Sequence, residues 1–408
     1  MPIVFSFLAA FSLVPLVGFT LGYFGFYNYP FYQISFNDLL MRVAFFAVFW
    51  MALLLSYKAI RVRILQADLK SNLGLCYVSR KRFYRILVPL SLCVCFVFVS
   101  TGYEFLVQGV GSGDLRTSHG LAGPFYRLTI GFLIPALSCL IACLYFFQEK
   151  KSLKLRFFVF VYFLLLCLAM ISTGYKSTVI FFFGPFVTVY FMYKGGFSKF
   201  VLFCFIFMLV IILATMLVRN IGLYSAFMFI IHRIFYMSAY GDVGFLSVKN
   251  DVDLHGAYFF TNLFGRHIYE LVFYASDRLH YINSNLSILI SYMVYPDVES
   301  VLSGKTNLTV TNYSESLFIF GKAFLAYGLL LGCYVGFLCG ILTRLFSRGQ
   351  WLLFSLLISY IFSVVLPWMN SGSFLNLFSL FSFIYMFLSY ICLRFFLRLR
   401  INWTHSHH

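Results

Sequence analysis

Charge is what this sequence has least of. Lys, Arg, Asp and Glu make up 11% of 408 residues, and only 13 of them are acidic. A soluble domain carries roughly 25%. No polar stretch is long enough to form a separate water-soluble domain, so the chain reads as one integral membrane domain spanning residues 1–408. Other absences narrow the chemistry. The ten cysteines lie in or beside apolar runs and none falls between residues 205 and 332, so no disulfide framework is expected there. No CxxC or Cys/His spacing suggests zinc, and no aspartate cluster suggests another metal. The GxxxxGK[ST] spacing of a phosphate-binding loop is missing as well. No metal and no cofactor is therefore expected.

Apolar sequence fills the space that charge leaves: 62% of the residues are hydrophobic and 22% aromatic. Ten runs approach the ~20 residues needed to cross a bilayer as a helix. They cover roughly residues 3–24, 38–57, 86–107, 125–147, 157–172, 178–193, 200–218, 318–343, 351–367 and 375–395. The runs are continuously apolar, whereas the strands of a membrane barrel alternate, so the expected fold is an all-α polytopic membrane protein with 10–12 transmembrane helices. The first run lacks a basic leader and a small-residue cleavage pattern, and it is read as a retained helix.

The formal charge of +17 would suggest a nucleic-acid partner in a soluble protein. Its distribution gives another reading. With both termini cytoplasmic, the inner segments 58–85, 148–156, 194–199, 344–348 and 394–408 hold 19 of the 30 basic residues, opposed only by Asp68 and Glu149. The outer side is then electrically balanced. This is the bias expected of cytoplasmic loops, and nucleic acid is not needed to explain the charge.

Residues 219–317 form one large outer loop, the segment where function is expected. Its first stretch, Ile221 to Tyr240, is nearly as apolar as a span; a lone crossing there would invert all later topology. An interfacial or re-entrant helix fits better, with a paired crossing near residues 281–296 as the alternative. Within it, Arg233 interrupts a membrane-compatible run and needs a partner, either an anionic ligand or Asp242. Arg219 and Lys176 stand at outer helix ends. Lys176 sits in the tight Ser172–Thr178 connection, where a helix hairpin with a snorkelling lysine is the plainer reading. Arg116 and Arg266 are further candidates for binding phosphate, and Glu315 is the candidate base.

Three local patterns resemble the O-antigen (oligosaccharide repeat-unit) polymerases, the Wzy-type family. They are Thr173-Gly174-Tyr175-Lys176-Ser177, similar to that family's TGxR-type hairpin; His232-Arg233-Ile234-Phe235 followed by Gly241-Asp242; and the Thr309–Gly328 stretch leading into a helix. The layout of the whole chain is similar too. Lys176 departs from the commoner arginine, keeping the charge but losing the bidentate fork. The resemblance implies a GT-C-like architecture in a bacterial inner membrane and a metal-independent glycosyl transfer. A glycan on undecaprenyl diphosphate would pass to the non-reducing hydroxyl of another lipid-linked repeat unit, building O-antigen or capsular polysaccharide. It also implies Lys176, Arg219, Arg233, Arg116 and Arg266 as diphosphate contacts, His232, Asp242 or Glu315 as the base, and a chain-length regulator and a flippase as partners. A lipid-linked oligosaccharide flippase or other polysaccharide transporter and an O-antigen ligase are the competing readings.

Overall fold

The computed structural model describes residues 2–65, 85–106, 123–147, 153–173, 178–194, 197–252, 256–264, 268, 272, 286–297, 299, 301, 308–371 and 373–397. Every regular element among them is helical. The first seven apolar runs form α1 (Pro2–Tyr23), α2 (Phe36–Leu65), α3 (Leu87–Gly102), α4 (Gly123–Phe146), α5 (Leu153–Thr173), α6 (Thr178–Lys194) and α7 (Phe197–Arg219). After α7 come α8 (Leu223–Ile231), α9 (Met237–Val248), α10 (Gly256–Phe264) and α11 (Leu286–Val294). There follow α12 (Asn312–Phe320), α13 (Phe324–Ser347), α14 (Trp351–Tyr360), α15 (Leu366–Ser371) and α16 (Leu380–Leu397).

Among the described residues, seven helical segments are long and apolar enough to cross a membrane: Val4–Tyr23, Phe36–Ile60, Gly123–Phe146, Leu153–Thr173, Asn312–Ser347, Trp351–Met369 and Phe374–Phe396. Three shorter apolar helices, Leu87–Gly102, Thr178–Tyr193 and Ser198–Leu213, correspond to the third, sixth and seventh runs. The chain is thus an α-helical, multi-pass membrane protein. Helices satisfy their own backbone hydrogen bonds, which hydrocarbon cannot do for them.

By its internal contacts the chain divides into two compact units. The first comprises Met1–Lys70, Phe191–Ser347 and Ile361–Ser382. Its main helix pair is α2 against α13, and a glycine at every fourth position explains why they approach so closely. A Cβ added at Gly332 would lie 2.4 Å from the Phe49 carbonyl oxygen, and one at Gly336 would lie 2.3 Å from that of Leu53. Gly328 and Gly340 meet Phe45 and Ile60 on the same stripe. Small residues at this spacing let two backbones touch and gain dispersion contacts along their length. Ser56 adds a hydrogen bond from its hydroxyl to the Cys333 carbonyl at 2.9 Å.

The start of α2 is fixed by a reciprocal cap. Asp38 accepts from the Ser35 amide at 3.0 Å and from its hydroxyl at 2.6 Å, while the Asp38 amide donates to Ser35 Oγ at 3.2 Å. Two orphan donors of the helix end are thereby satisfied. The Tyr32 hydroxyl also donates to Asp38, and burial together with that carboxylate pushes its phenol up to about 12. Helix α12 begins at Thr311, whose side chain accepts from the Tyr313 amide, and ends at Gly321, where φ is +51°. That left-handed backbone favours glycine and lets the chain turn into α13.

The second unit comprises Ser71–Tyr190, Arg348–Tyr360 and Phe383–His408. Here α4 is the most enclosed helix and packs against α14. Ser359 Oγ donates to the carbonyls of Gly131 and Phe132, and Phe147 stacks on Trp351 with ring centroids 4.5 Å apart. On α4, Ser138 also reaches the Phe182 carbonyl of α6 at 2.6 Å. Helices α3 and α5 meet where the Thr101 hydroxyl donates to the Ser172 carbonyl at 2.9 Å. The ends of α5 and α6 meet at Thr173 and Thr178, whose hydroxyl oxygens are 3.2 Å apart.

Candidate functional site

In the first unit, carboxylate, guanidinium, imidazole and phenol groups of the segment after α7 stand on α8–α9, α10 and α12. Helix α8 runs into α9 through His232–Tyr236, a wide turn in which the Met237 amide donates to the His232 carbonyl five residues back. Such insertions widen a helix locally and redirect the side chains around them. His232 and Arg233 are both exposed on this turn. The His232 ring stacks on Tyr236 at 4.3 Å. Arg233 makes no ion pair with a described residue.

Asp242 lies on the same helical stretch, fully buried, and its ion partner is Arg42 of α2 rather than Arg233. Arg42 Nη1 sits 2.7 Å from Asp242 Oδ2 and also donates to Thr311 Oγ1 at 2.9 Å. The carboxylate further accepts from the Thr311 amide at 2.8 Å, the Thr311 hydroxyl and the Ser314 hydroxyl at 2.7 Å. The guanidinium carbon is 4.5 Å from the centre of the Tyr313 ring. A desolvated ion pair is tolerated only when its remaining lone pairs and protons are used in this way. Gly241 makes the arrangement possible: a Cβ there would lie 2.1 Å from the Thr309 carbonyl oxygen, so only glycine admits the 309–311 backbone to the Asp242 carboxylate.

Glu315, one residue past Ser314, faces a second buried network. Its carboxylate accepts from the hydroxyls of Tyr258 on α10 and Tyr327 on α13, and from the Phe374 amide at 2.8 and 3.0 Å. Trp368 of α15 donates in turn to the Tyr327 hydroxyl at 3.2 Å. Three donors therefore converge on the Glu315 carboxyl group, and no cation accompanies them among the described residues. Burial first, and then the Glu315 charge, raise the Tyr258 phenol well above its ordinary value, so it remains a donor. The neighbouring Asn262 links Tyr258 to Ser373, accepting from the Ser373 hydroxyl at 2.6 Å and donating to the Tyr258 carbonyl.

The sequence-derived candidates thus fall into three groups. Asp242 and Glu315 come together through the Thr311–Ser316 segment, and His232 and Arg233 stand exposed on the helical stretch that leads to Asp242. Arg219 closes α7, but its side chain lies outside the described set, and Lys176, Arg116 and Arg266 lie outside the described residues. Among the described residues no three metal-ligating side chains converge. Arg42, Tyr258 and Tyr327 complete the networks and were not among the candidates. Arg42 carried a usable signal: a charge inside an apolar run needs a partner. The two tyrosines carried none, because nothing in their local sequence marks the carboxylate they meet.

Comparison with family models, with curated proteins and with solved structures finds no match to this chain.

Proposed function

We propose that this protein is a membrane glycosyltransferase that polymerises undecaprenyl-diphosphate-linked oligosaccharide repeat units at the outer face of a bacterial inner membrane. The observation that carries the reading is the exposed His232-Arg233 pair on a wide helical turn, held by a helix that the buried Arg42–Asp242 network fixes. Transfer from a lipid diphosphate needs two things of the protein. A cation must meet the negative charge that grows on the departing diphosphate, and a base must take a proton from the attacking hydroxyl. Arg233 supplies the first, with a fork that matches phosphate oxygens. His232 supplies the second.

In the step itself, the acceptor hydroxyl oxygen forms a bond to the anomeric carbon of the donor sugar while the bond from that carbon to the diphosphate oxygen breaks. The proton of the hydroxyl passes to a ring nitrogen of His232, and the lipid diphosphate leaves against Arg233. Asp242 and Glu315 take positioning roles in this scheme. Both are buried, and donors already occupy their oxygens. Accepting a substrate proton would mean breaking those bonds first.

The test is genetic and biochemical. Deleting the gene should collapse the ladder of surface glycan to a single-repeat band, and wild type should restore it. Arg233→Ala should lower turnover about 10²- to 10³-fold, the usual cost of removing one transition-state donor, at unchanged abundance in the membrane. Arg233→Lys, which keeps charge without the fork, should retain more activity than Ala. A normal ladder from Arg233→Ala would remove Arg233 from the reaction, and an unchanged ladder after deletion would sink the polymerase reading.

A further inference from the structure

Beside the His232-Arg233 turn, two rows of rings run side by side. One comes from the helical stretch, His232, Tyr236 and Tyr240, spaced four residues apart. The other comes from the segment between α1 and α2, Tyr27, Tyr29 and Phe31, spaced two apart. The two rows pair in order along the chain. Tyr27 meets His232 at 5.8 Å and Tyr236 at 5.4 Å, Tyr29 stacks on Tyr236 at 4.9 Å, and Phe31 meets Tyr240 at 4.9 Å. Tyr295, just past α11, adjoins Tyr240 at 6.4 Å.

Two phenols of the 27–32 segment are already engaged. Tyr29 donates to the Gly18 carbonyl, and Tyr32 to Asp38. The hydroxyls of Tyr27, Tyr236, Tyr240 and Tyr295 hydrogen-bond to no described residue, although all four rings are half-buried. Burial raises the phenols of Tyr236 and Tyr240. Each phenol both donates and accepts, and its ring offers an apolar body behind a polar tip. A ligand that satisfies such a row needs many hydroxyls and apolar C–H edges together. An aromatic belt at lipid-headgroup depth needs no such ordered pairing of two rows.

We propose that the hydroxyls of Tyr27, Tyr236, Tyr240 and Tyr295 bind the sugar residues of the lipid-linked substrate, with His232 at one end of the row and Arg233 next to it for the phosphates. This inference rests on the glycosyltransferase reading and names the part of the substrate that the turn alone does not hold. From His232 to Tyr240 the helix covers about 12 Å, room for a short oligosaccharide rather than one sugar.

Phenylalanine substitutions remove the hydroxyls and keep the rings, so packing survives. The full chain in phosphatidylethanolamine/phosphatidylglycerol nanodiscs is titrated with the repeat-unit oligosaccharide released by mild acid from the host's own surface glycan, and binding is read by saturation-transfer NMR. Tyr240→Phe and Tyr295→Phe should each weaken binding about three- to tenfold, the worth of one hydrogen bond, and the double variant more. Wild-type affinity in the double variant, or no binding by wild type, overturns the proposal. So does a double variant that changes only with the lipid composition of the disc, which would make the row a headgroup belt. The polymerase reading fails separately: a glycan ladder that survives gene deletion sinks it. A ladder lost on deletion and fully restored by a double variant of wild-type affinity sinks the tyrosine row alone.

Discussion

At the scale of single residues, the buried pair Arg42–Asp242 has the largest stake in stability. Arg42 is 4% exposed and Asp242 0%. Replacing Arg42 by Met would leave a carboxylate facing only Thr311 and Ser314, with no cation, and breaking a buried pair in this way costs about 3–5 kcal/mol. Arg42→Met should therefore lower the thermal midpoint of the detergent-solubilised protein sharply. The double variant Arg42→Met with Asp242→Leu should recover much of the loss, since it buries no lone charge. If the two losses instead add, the ion pair is not what holds α2 to α9. Glu315 is a different case, because its partners are all neutral and its network has no second charge to remove.

At the scale of elements, the glycine stripe of α13 is the feature most open to test. Gly336→Val would drive side-chain carbon into the Leu53 carbonyl, whose oxygen already lies 2.3 Å from where the first atom would stand. The α2–α13 pair would have to separate, and overpacking of this kind costs about 1–3 kcal/mol. Gly222→Ala, with nothing within 4 Å and an ordinary φ, should leave the melting temperature unchanged. Equal stability of both variants would show that the close approach is not needed. Helices are also where the sequence was most legible. Each of the ten apolar runs forms a helix because hydrocarbon thickness fixes the length of such runs and leaves the backbone no alternative. The Ile221–Tyr240 stretch was legible as helix too, but the wide turn at His232–Tyr236 inside it was not, since a five-residue hydrogen bond leaves no composition signal. The site was half legible. Asp242 and Glu315 stood out as rare carboxylates in apolar surroundings, while their partners Arg42, Tyr258 and Tyr327 lie 200, 57 and 12 residues away and follow no period.

At the scale of the whole molecule, the placement of charge makes a prediction about direction. Alkaline phosphatase fused after Lys150 should be inactive and the same enzyme fused after Asp297 active, because basic loop segments are as a rule retained inside. Activity at both points, or the reverse pattern, would remove the assignment of residues 219–317 to the outer face and with it the proposed access of lipid-linked sugars to Arg233.

The separation of Arg42 from Asp242 also has a consequence in time. A ribosome adds about 5–20 residues per second, so the partner of Arg42 emerges some 10 to 40 seconds after it. Throughout that interval α2 enters the bilayer with an unmatched guanidinium in its second turn, close enough to the helix start for the side chain to reach the headgroups. Its seat among the other helices is settled only when α9 and the Thr311 segment have been made. The order of synthesis and the order of assembly therefore differ: one of the first helices translated is one of the last to be locked in place.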